Sequence, residues 1–436
     1  MAELTVALNG IPVAVLDKRT SGALSFRYLS EWLQRPGARP ISLSLPLSDT
    51  SYQGEKVLNF FDNLLPDSES IRTRIQSTFR VASSHPFDLL AAVGRDCIGA
   101  IQLYPLGSDI PDVQQMISEP LTDADIENLL AGYQQAPLGM DDDHDFRISL
   151  AGAQEKTALL WHQGGWQRPF GSTPTSHIFK LPIGFLEPRN IDLRLSGENE
   201  WLCLQILKEY GVPVPNAQLA QFGAQKALIV ERFDRRWSSD SQWLMRLPQE
   251  DFCQALGVSP ALKYENHGGP SILDGMKLLQ GSQASNADRE LFFNVQILFW
   301  LLAAIDGHAK NFSVFLEPDS AYRMTPIYDV LSAYPLMAQG SLPAEKAKMA
   351  MSIKGKNRHY HWAKIEPRHF ISTAEQVGYS ARRAMELMRE IVDMTEQVLV
   401  RVKANLPEDF PVQVSQSIFD GVTSQTQRLS DFSLSM

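Results

Sequence analysis

The stretch that decides the fold runs from Ile297 to Ala333, ILFWLLAAIDGHAKNFSVFLEPDSAYRMTPIYDVLSA. It opens with nine uninterrupted apolar residues, Ile297 to Ile305. That run is too short to span a bilayer, which needs about 18 or more, and it reads as the middle of a buried helix. A polar knot follows, Asp306-Gly307-His308-Ala309-Lys310-Asn311. Then come a strand-like run from Phe312 to Leu316, a turn at Glu317-Pro318-Asp319, and a second run that ends at Ile327-Tyr328-Asp329. Asp306 and Asn311 are five positions apart, and Asp329 lies eighteen further on. A loop carboxylate can take the proton of a hydroxyl, while an amide oxygen and a second carboxylate supply the few hard ligands that magnesium prefers. Taken singly, Asp306 reads equally as a turn cap and Asp329 as a strand end. The three in this order, after a buried helix and at the end of a hairpin, read as chemistry.

The rest of the chain bounds what that chemistry serves. At 436 residues it has room for two or three domains with their own cores. Hydrophobic residues make up 44% and charged residues 21%, the mix of a soluble globular protein. A formal charge of −10 argues against a large nucleic-acid footprint of its own. Cys97, Cys203 and Cys253 are far apart, odd in number and set among apolar residues, so they read as reduced core thiols rather than a disulfide or metal framework. The N-terminus, MAELTVALNGIPVAVLDKRT, lacks the layout of a secretion signal, and the expected compartment is the cytoplasm.

Four regions are expected. Residues 1–105 form a small α+β domain. It has a hairpin on an Asn9-Gly10 type I′ turn, a strand at Ala23–Tyr28, helices at Val57–Leu65 and Ser68–Phe79, and a last strand at Ile98–Tyr104. Residues 106–145 read as a connector with one helix, Asp123–Tyr133, opened by Thr122; the acidic run Asp141-Asp142-Asp143 reads as solvated loop. Residues 146–235 are strand-rich, with a helix over Glu198–Tyr210 and a strand over Ala227–Phe233. Residues 236–436 are mostly helical, with a loop-like stretch at 340–370, a helix at Ala381–Lys403 and a Ser/Gln-rich close from Ser415.

The order Asp, Asn, Asp is that of the catalytic and metal loops of protein-kinase-like phosphotransferases. Asp329 is followed by Val330-Leu331, so the DFG triplet is absent and the chain is not a eukaryotic-type protein kinase. The other parts of such a site occur upstream in the required order. Ala151-Gly152-Ala153-Gln154-Glu155-Lys156 is a small-residue turn whose backbone amides can approach phosphate oxygens. Lys180 lies in the apolar strand His177–Leu181, where a charge needs a partner, and Glu200 at a helix start can supply one. Val230 to Asp234 ends a strand and reads as the hinge, with Glu231, Arg232 and Phe233 at adenine and Asp234 near the ribose. Each piece has an ordinary reading too: a plain turn, a snorkelling edge lysine, a strand end.

Longer motifs carry a resemblance. SLPL at Ser44–Leu47, NFFDNLLPDS at Asn59–Ser68, PFDLL at Pro86–Leu90 and GRD at Gly94–Asp96 come first. FRISLAGAQEKTALL from Phe146, SHIFKLPIG from Ser176, VERFDRRW from Val230, RLPQEDFCQ from Arg246, DGHAKNFSVF from Asp306 and KIEPRHF from Lys364 follow. With these motifs the chain is identified as a member of the HipA family, serine/threonine-kinase toxins of type II toxin–antitoxin modules. The resemblance covers nearly the whole length.

It implies an α+β, protein-kinase-like (phosphoinositide-kinase-like) two-lobed core, preceded by a small α+β domain and completed by a mostly helical C-terminal lobe. By resemblance Asp306 is the catalytic base, Asn311 and Asp329 hold Mg2+, and Lys180 holds ATP. The loop 151–156 and His308 also line the nucleotide site. Ser149 matches the autophosphorylated serine whose phosphate ejects the loop. The resemblance further implies glutamyl-tRNA synthetase as substrate, with a block of translation and persistence. The implied partner is a dimeric HipB-type helix-turn-helix antitoxin, through which the chain reaches operator DNA with few contacts of its own. Glu375 stands where a relative has a basic residue facing DNA, which leaves Lys364, Arg368, Arg382 and Arg383 as candidates. Two other readings stay open: a small-molecule kinase on the same scaffold, and a catalytically idle co-repressor.

Overall fold

Asn9 and Gly10 both take positive φ, 46° and 75°, the geometry that a two-residue type I′ hairpin demands. The turn joins strands Ala2–Leu8 and Ile11–Lys18 in register Leu8↔Ile11. Alternation along the first strand buries Leu4, Val6 and Leu8 on a core to which the second, out of regular register opposite Val6 and Ala7, adds Val13, Ala14 and Leu16. The computed structural model describes residues 2–132, 149–151, 154–187 and 190–434. The chain divides into two compact units, one of Met1–Leu181, Gln218–Ala261 and Ser313–Tyr322, the other of Pro182–Ala217, Leu262–Phe312 and Arg323–Met436.

The two largest sheets of the first unit are antiparallel. The five-stranded one is built from the first hairpin, Leu24–Tyr28, Tyr52–Gln53 and Ile101–Pro105. Helices Glu55–Asp62, Glu69–Thr78 and Pro86–Val93 supply Phe60, Phe61, Ile71, Ile75, Leu89 and Leu90 to its core. The last of these helices escapes a periodicity search because it is short, yet its signals are local: Pro86 at the first turn and His85 accepting the Phe87 N–H. The six-stranded sheet has the spatial order 217–222, 225–231, 177–180, 156–162, 165–169, 118–120. Helix Asp123–Ala131, opened by a Thr122/Asp125 capping box, covers it with Ile126 and Leu129.

The second unit is mostly helical. Its longest helices, Ala381–Ala404 and Val412–Leu434, pack against each other and against Ser196–Glu209. One expectation fails here. The stretch 340–370 is not loop: it holds an antiparallel hairpin, Lys348–Lys354 with Arg358–His361, and the start of helix Pro367–Gln376. The Ser/Gln-rich close is part of the expected helical region: it forms helix Val412–Leu434, with Val414, Ile418, Val422 and Leu429 on one buried face and most of its polar residues outside it. The three cysteines are buried free thiols, and burial pushes the Cys97 thiol up to about 12.

Candidate active site

In the second unit, helix Ser285–Leu301 delivers the chain into the polar knot. Gly307 is obligatory there, since a Cβ would lie 2.5 Å from the Phe299 ring. The Asp306 carbonyl accepts the His308 N–H at 2.8 Å and the Asn311 side-chain amide at 3.0 Å. The same amide donates to the Asp329 carbonyl at 3.3 Å. One NH2 group thus ties the three positions together and leaves Oδ1 of Asn311 as the atom to offer a cation. Asp329 has a φ of +60°, uncommon for a non-glycine residue and frequent where function over-determines the backbone. Downstream, Asn199 clamps Ser332, accepting from its N–H at 2.9 Å and donating to its carbonyl at 2.8 Å. Asn199 sits beside Glu198 and Glu200, all buried at the head of helix Ser196–Glu209.

An amide oxygen beside one carboxylate suits magnesium, which keeps waters and substrate phosphates as its remaining ligands. Among the described residues no group of three or more His, Cys, Asp or Glu forms a metal cluster, and such a site needs none. Asp306 is exposed, and its Oδ1 accepts a 2.6 Å hydrogen bond from the Tyr264 hydroxyl. Sequence reading missed Tyr264 because it lies 42 positions away. His308 is buried, with its ring edge-on to Tyr264 at 5.0 Å.

In the first unit, Lys180 is 8% exposed and stands directly opposite Lys156 across two antiparallel strands. Opposed residues share a face, and like charges there repel. Of the turn 151–156, Gly152 and Ala153 lie outside the described residues. The others are tied down: Lys156 Nζ donates to the Ala151 carbonyl, Gln154 donates to the Leu181 carbonyl at 2.7 Å, and Glu155 pairs with Arg74. Ser149 is fully buried; its Oγ donates to the Leu64 carbonyl at 2.7 Å and its N–H to the Asp96 carbonyl at 3.0 Å.

The hinge expectation needs correction at two residues. Asp234 cannot serve a ribose, because its carboxylate is buried and accepts from Arg232, Arg235 and the Gly99 N–H. Arg232 offers adenine nothing either: its N–H goes to the Ser176 carbonyl, its carbonyl accepts from Arg235, and its guanidinium is fully buried on Asp96 and Asp234. The error has a physical source. In sequence a charged strand end reads as surface; here it closes on Asp96, more than 130 positions upstream. Glu231, by contrast, is exposed at the strand end, and the Phe233 ring packs edge-on against Phe315 at 5.9 Å.

The strand-rich unit, with Lys156 and Lys180 at the ends of two central strands, and the helical unit carrying the Asp306–Asn311–Asp329 knot make the fold a mixed α+β one. The chain belongs to the HipA family: the HipA N-terminal domain model matches residues 4–104 and the HipA-like C-terminal domain model residues 148–399. It is 31% identical over 410 residues, 92% of this chain and 91% of the relative, to a putative kinase, Y4mE, of Sinorhizobium fredii. It is 29% identical to the serine/threonine-protein kinase toxin HipA of Shewanella oneidensis, over 72% of this chain and 71% of that one. The fold matches a HipA structure from Shewanella oneidensis, solved with HipB and operator DNA, at a TM-score of 0.80 and 22% identity over 99% of both chains. Among the described residues no helix is long and apolar enough to cross a membrane.

Proposed function

We propose that this chain is an ATP- and Mg2+-dependent serine/threonine-protein kinase, the toxin of a two-component module. The observation that carries the reading is the single amide of Asn311, which binds the backbones of both Asp306 and Asp329 and so assembles base and metal ligands in one knot. Mg-ATP supplies the activated phosphoryl group, with Asn311 Oδ1 and the Asp329 carboxylate as the ligands that the chain offers. Asp306 takes the proton of the acceptor hydroxyl as that oxygen bonds the terminal phosphorus. The bond from phosphorus to the bridging oxygen breaks, and ADP leaves with the electron pair. By the family likeness, Lys180 and Lys156 neutralise phosphate charge, and Glu231 and Phe233 border the adenine.

The finer assignments rest on the family likeness: Ser149 as the autophosphorylation site, glutamyl-tRNA synthetase as target, and co-repression with a HipB-type antitoxin. The burial of Ser149 supports an off-switch, since a phosphate of roughly −1.5 to −2 charges has no place where the hydroxyl now sits. Arg368, Arg382 and Arg383 each pair with acids of this chain, Glu366, Glu386 and Glu290. That favours an antitoxin that holds the operator largely by itself.

Intact-mass measurement with and without Mg-ATP tests the kinase reading, with Asp306→Asn as the control. Transfer should fall about 10²-fold or more in the variant while ATP binding stays. Wild-type transfer by Asp306→Asn refutes the assignment. Transfer to small molecules and not to protein would favour the small-molecule kinase, and no transfer at all the idle co-repressor.

A further inference from the structure

We infer that Tyr264 is a positioning residue for the base: its hydroxyl holds one oxygen of Asp306 so that the other receives the proton of the acceptor hydroxyl. This rests on the kinase reading of Asp306. The bond from Tyr264 Oη to Asp306 Oδ1 is 2.6 Å long, within the range of charge-assisted O–H···O− contacts. An exposed carboxylate on a loop would otherwise rotate freely about its two side-chain torsions. Orientation is what such a base needs, because a misplaced acceptor forfeits the advantage of a bound geometry.

The segment that carries Tyr264 is built to hold it. The Tyr264 carbonyl accepts the N–H groups of both His267 and Gly269 at 3.0 Å, closing a tight turn. A Cβ on Gly269 would sit 1.7 Å from the Leu262 carbonyl oxygen, so the turn closes only on glycine. One residue earlier, the Lys263 carbonyl accepts the Ala309 N–H of the catalytic loop at 3.2 Å. Backbone and side chain therefore grip the same loop from adjacent positions. One residue later, Glu265 is 5% exposed and accepts from the Ser352 N–H at 2.6 Å and its hydroxyl at 2.9 Å. This anchors the turn to the hairpin Lys348–His361. The phenol ring packs edge-on to His308 at 5.0 Å, so its own rotamer is fixed before the hydroxyl reaches Asp306.

Tyr264→Phe in the full chain keeps the ring and removes only the hydroxyl. With autophosphorylation followed by intact mass and transfer to casein as readouts, kcat should fall about tenfold. KM for Mg-ATP and the melting temperature should stay at wild-type values, a split that a merely structural role would not give. An unchanged or faster kcat, or a loss matched by weaker ATP binding and a lower melting temperature, overturns the inference. Asp306→Asn run in parallel separates the two claims. If it is inactive while Tyr264→Phe is normal, only the role of Tyr264 fails. If it transfers like wild type, the kinase reading fails first and takes this inference with it.

Discussion

Asp96 is the charge on which the first unit depends most, and replacing it by Asn gives a sharp test. Its Oδ1 accepts from Arg235 and Arg246, both at 2.8 Å. Its Oδ2 accepts from the Thr175 hydroxyl at 2.7 Å, the Thr175 N–H at 3.1 Å and Arg232 at 3.3 Å. Burial by itself would push the carboxyl up. Arg235, Arg246 and Arg232 outweigh it, with help from the Thr175 hydroxyl, and hold the group well below the usual carboxylate range. Three arginines and two aspartates give the set a formal charge of +1, and Asp96→Asn raises it to +2 with no change of volume. No acceptor is in reserve, since Arg235 Nε and Arg246 Nη1 already lack hydrogen-bond partners. Breaking a buried ion pair on one side costs about 3–5 kcal/mol, about a fifth or more of an ordinary domain's stability.

Equilibrium urea unfolding of the full chain, followed by circular dichroism and tryptophan fluorescence, should show that loss in the transition of the first unit. Asp192→Asn is the contrast. Its carboxyl is also lowered, to about 2, by the Arg194 side chain, but that pair lies on the surface and its removal should leave the midpoint in place. The pH dependence has a definite sign. Asp96 has a folded value below its unfolded 3.8, so its contribution is complete above about pH 4 and drains away as pH falls below that. The acid limb of stability should therefore be shallower in Asp96→Asn. A cost below about 1 kcal/mol, or an unchanged acid limb, would mean that the arginines are solvated or repacked, and the structural argument for GRD and VERFDRRW as one motif would fail.

Glu250 predicts the opposite pH behaviour. Burial pushes its carboxyl up to about 8 despite the 2.7 Å bond from the Leu43 N–H. Its contribution is thus complete below the unfolded value of 4.5 and is lost as pH rises toward 8. Glu250→Gln should raise stability at pH 8 relative to wild type and flatten the decline from pH 5; an unchanged slope in urea titrations refutes it. Lys180→Met should cut phosphoryl transfer about 10²-fold and abolish growth arrest with it, and arrest that survives would point to a co-repressor or sequestering role.

Much of the fold was legible because its determinants are local. The Asn9-Gly10 turn is written in two residues that accept positive φ, the helix after Thr122 in a capping box, and the Asp306–Asn311–Asp329 order in short spacings around one buried helix. Within the helical region, the buried face of the C-terminal helix was masked by composition. Its Ser and Gln residues disguise an apolar face that only packing against Ala381–Ala404 makes visible.

What the sequence by itself determined is the family and the order of the Asp306–Asn311–Asp329 knot, because those three residues lie within one loop and the hairpin that follows. Tertiary structure decided the partners. Arg232 and Asp234 looked like hinge residues until the fold joined them to Asp96, Arg235 and Arg246 in a buried ion set. Tyr264 had no role until the fold set its hydroxyl on Asp306. The physical reason is the same in both cases. A turn or a helix period is set by neighbours along the chain, whereas a buried charge or a donated proton is stabilised by whichever group the fold brings within about 3 Å, and sequence distance does not encode that.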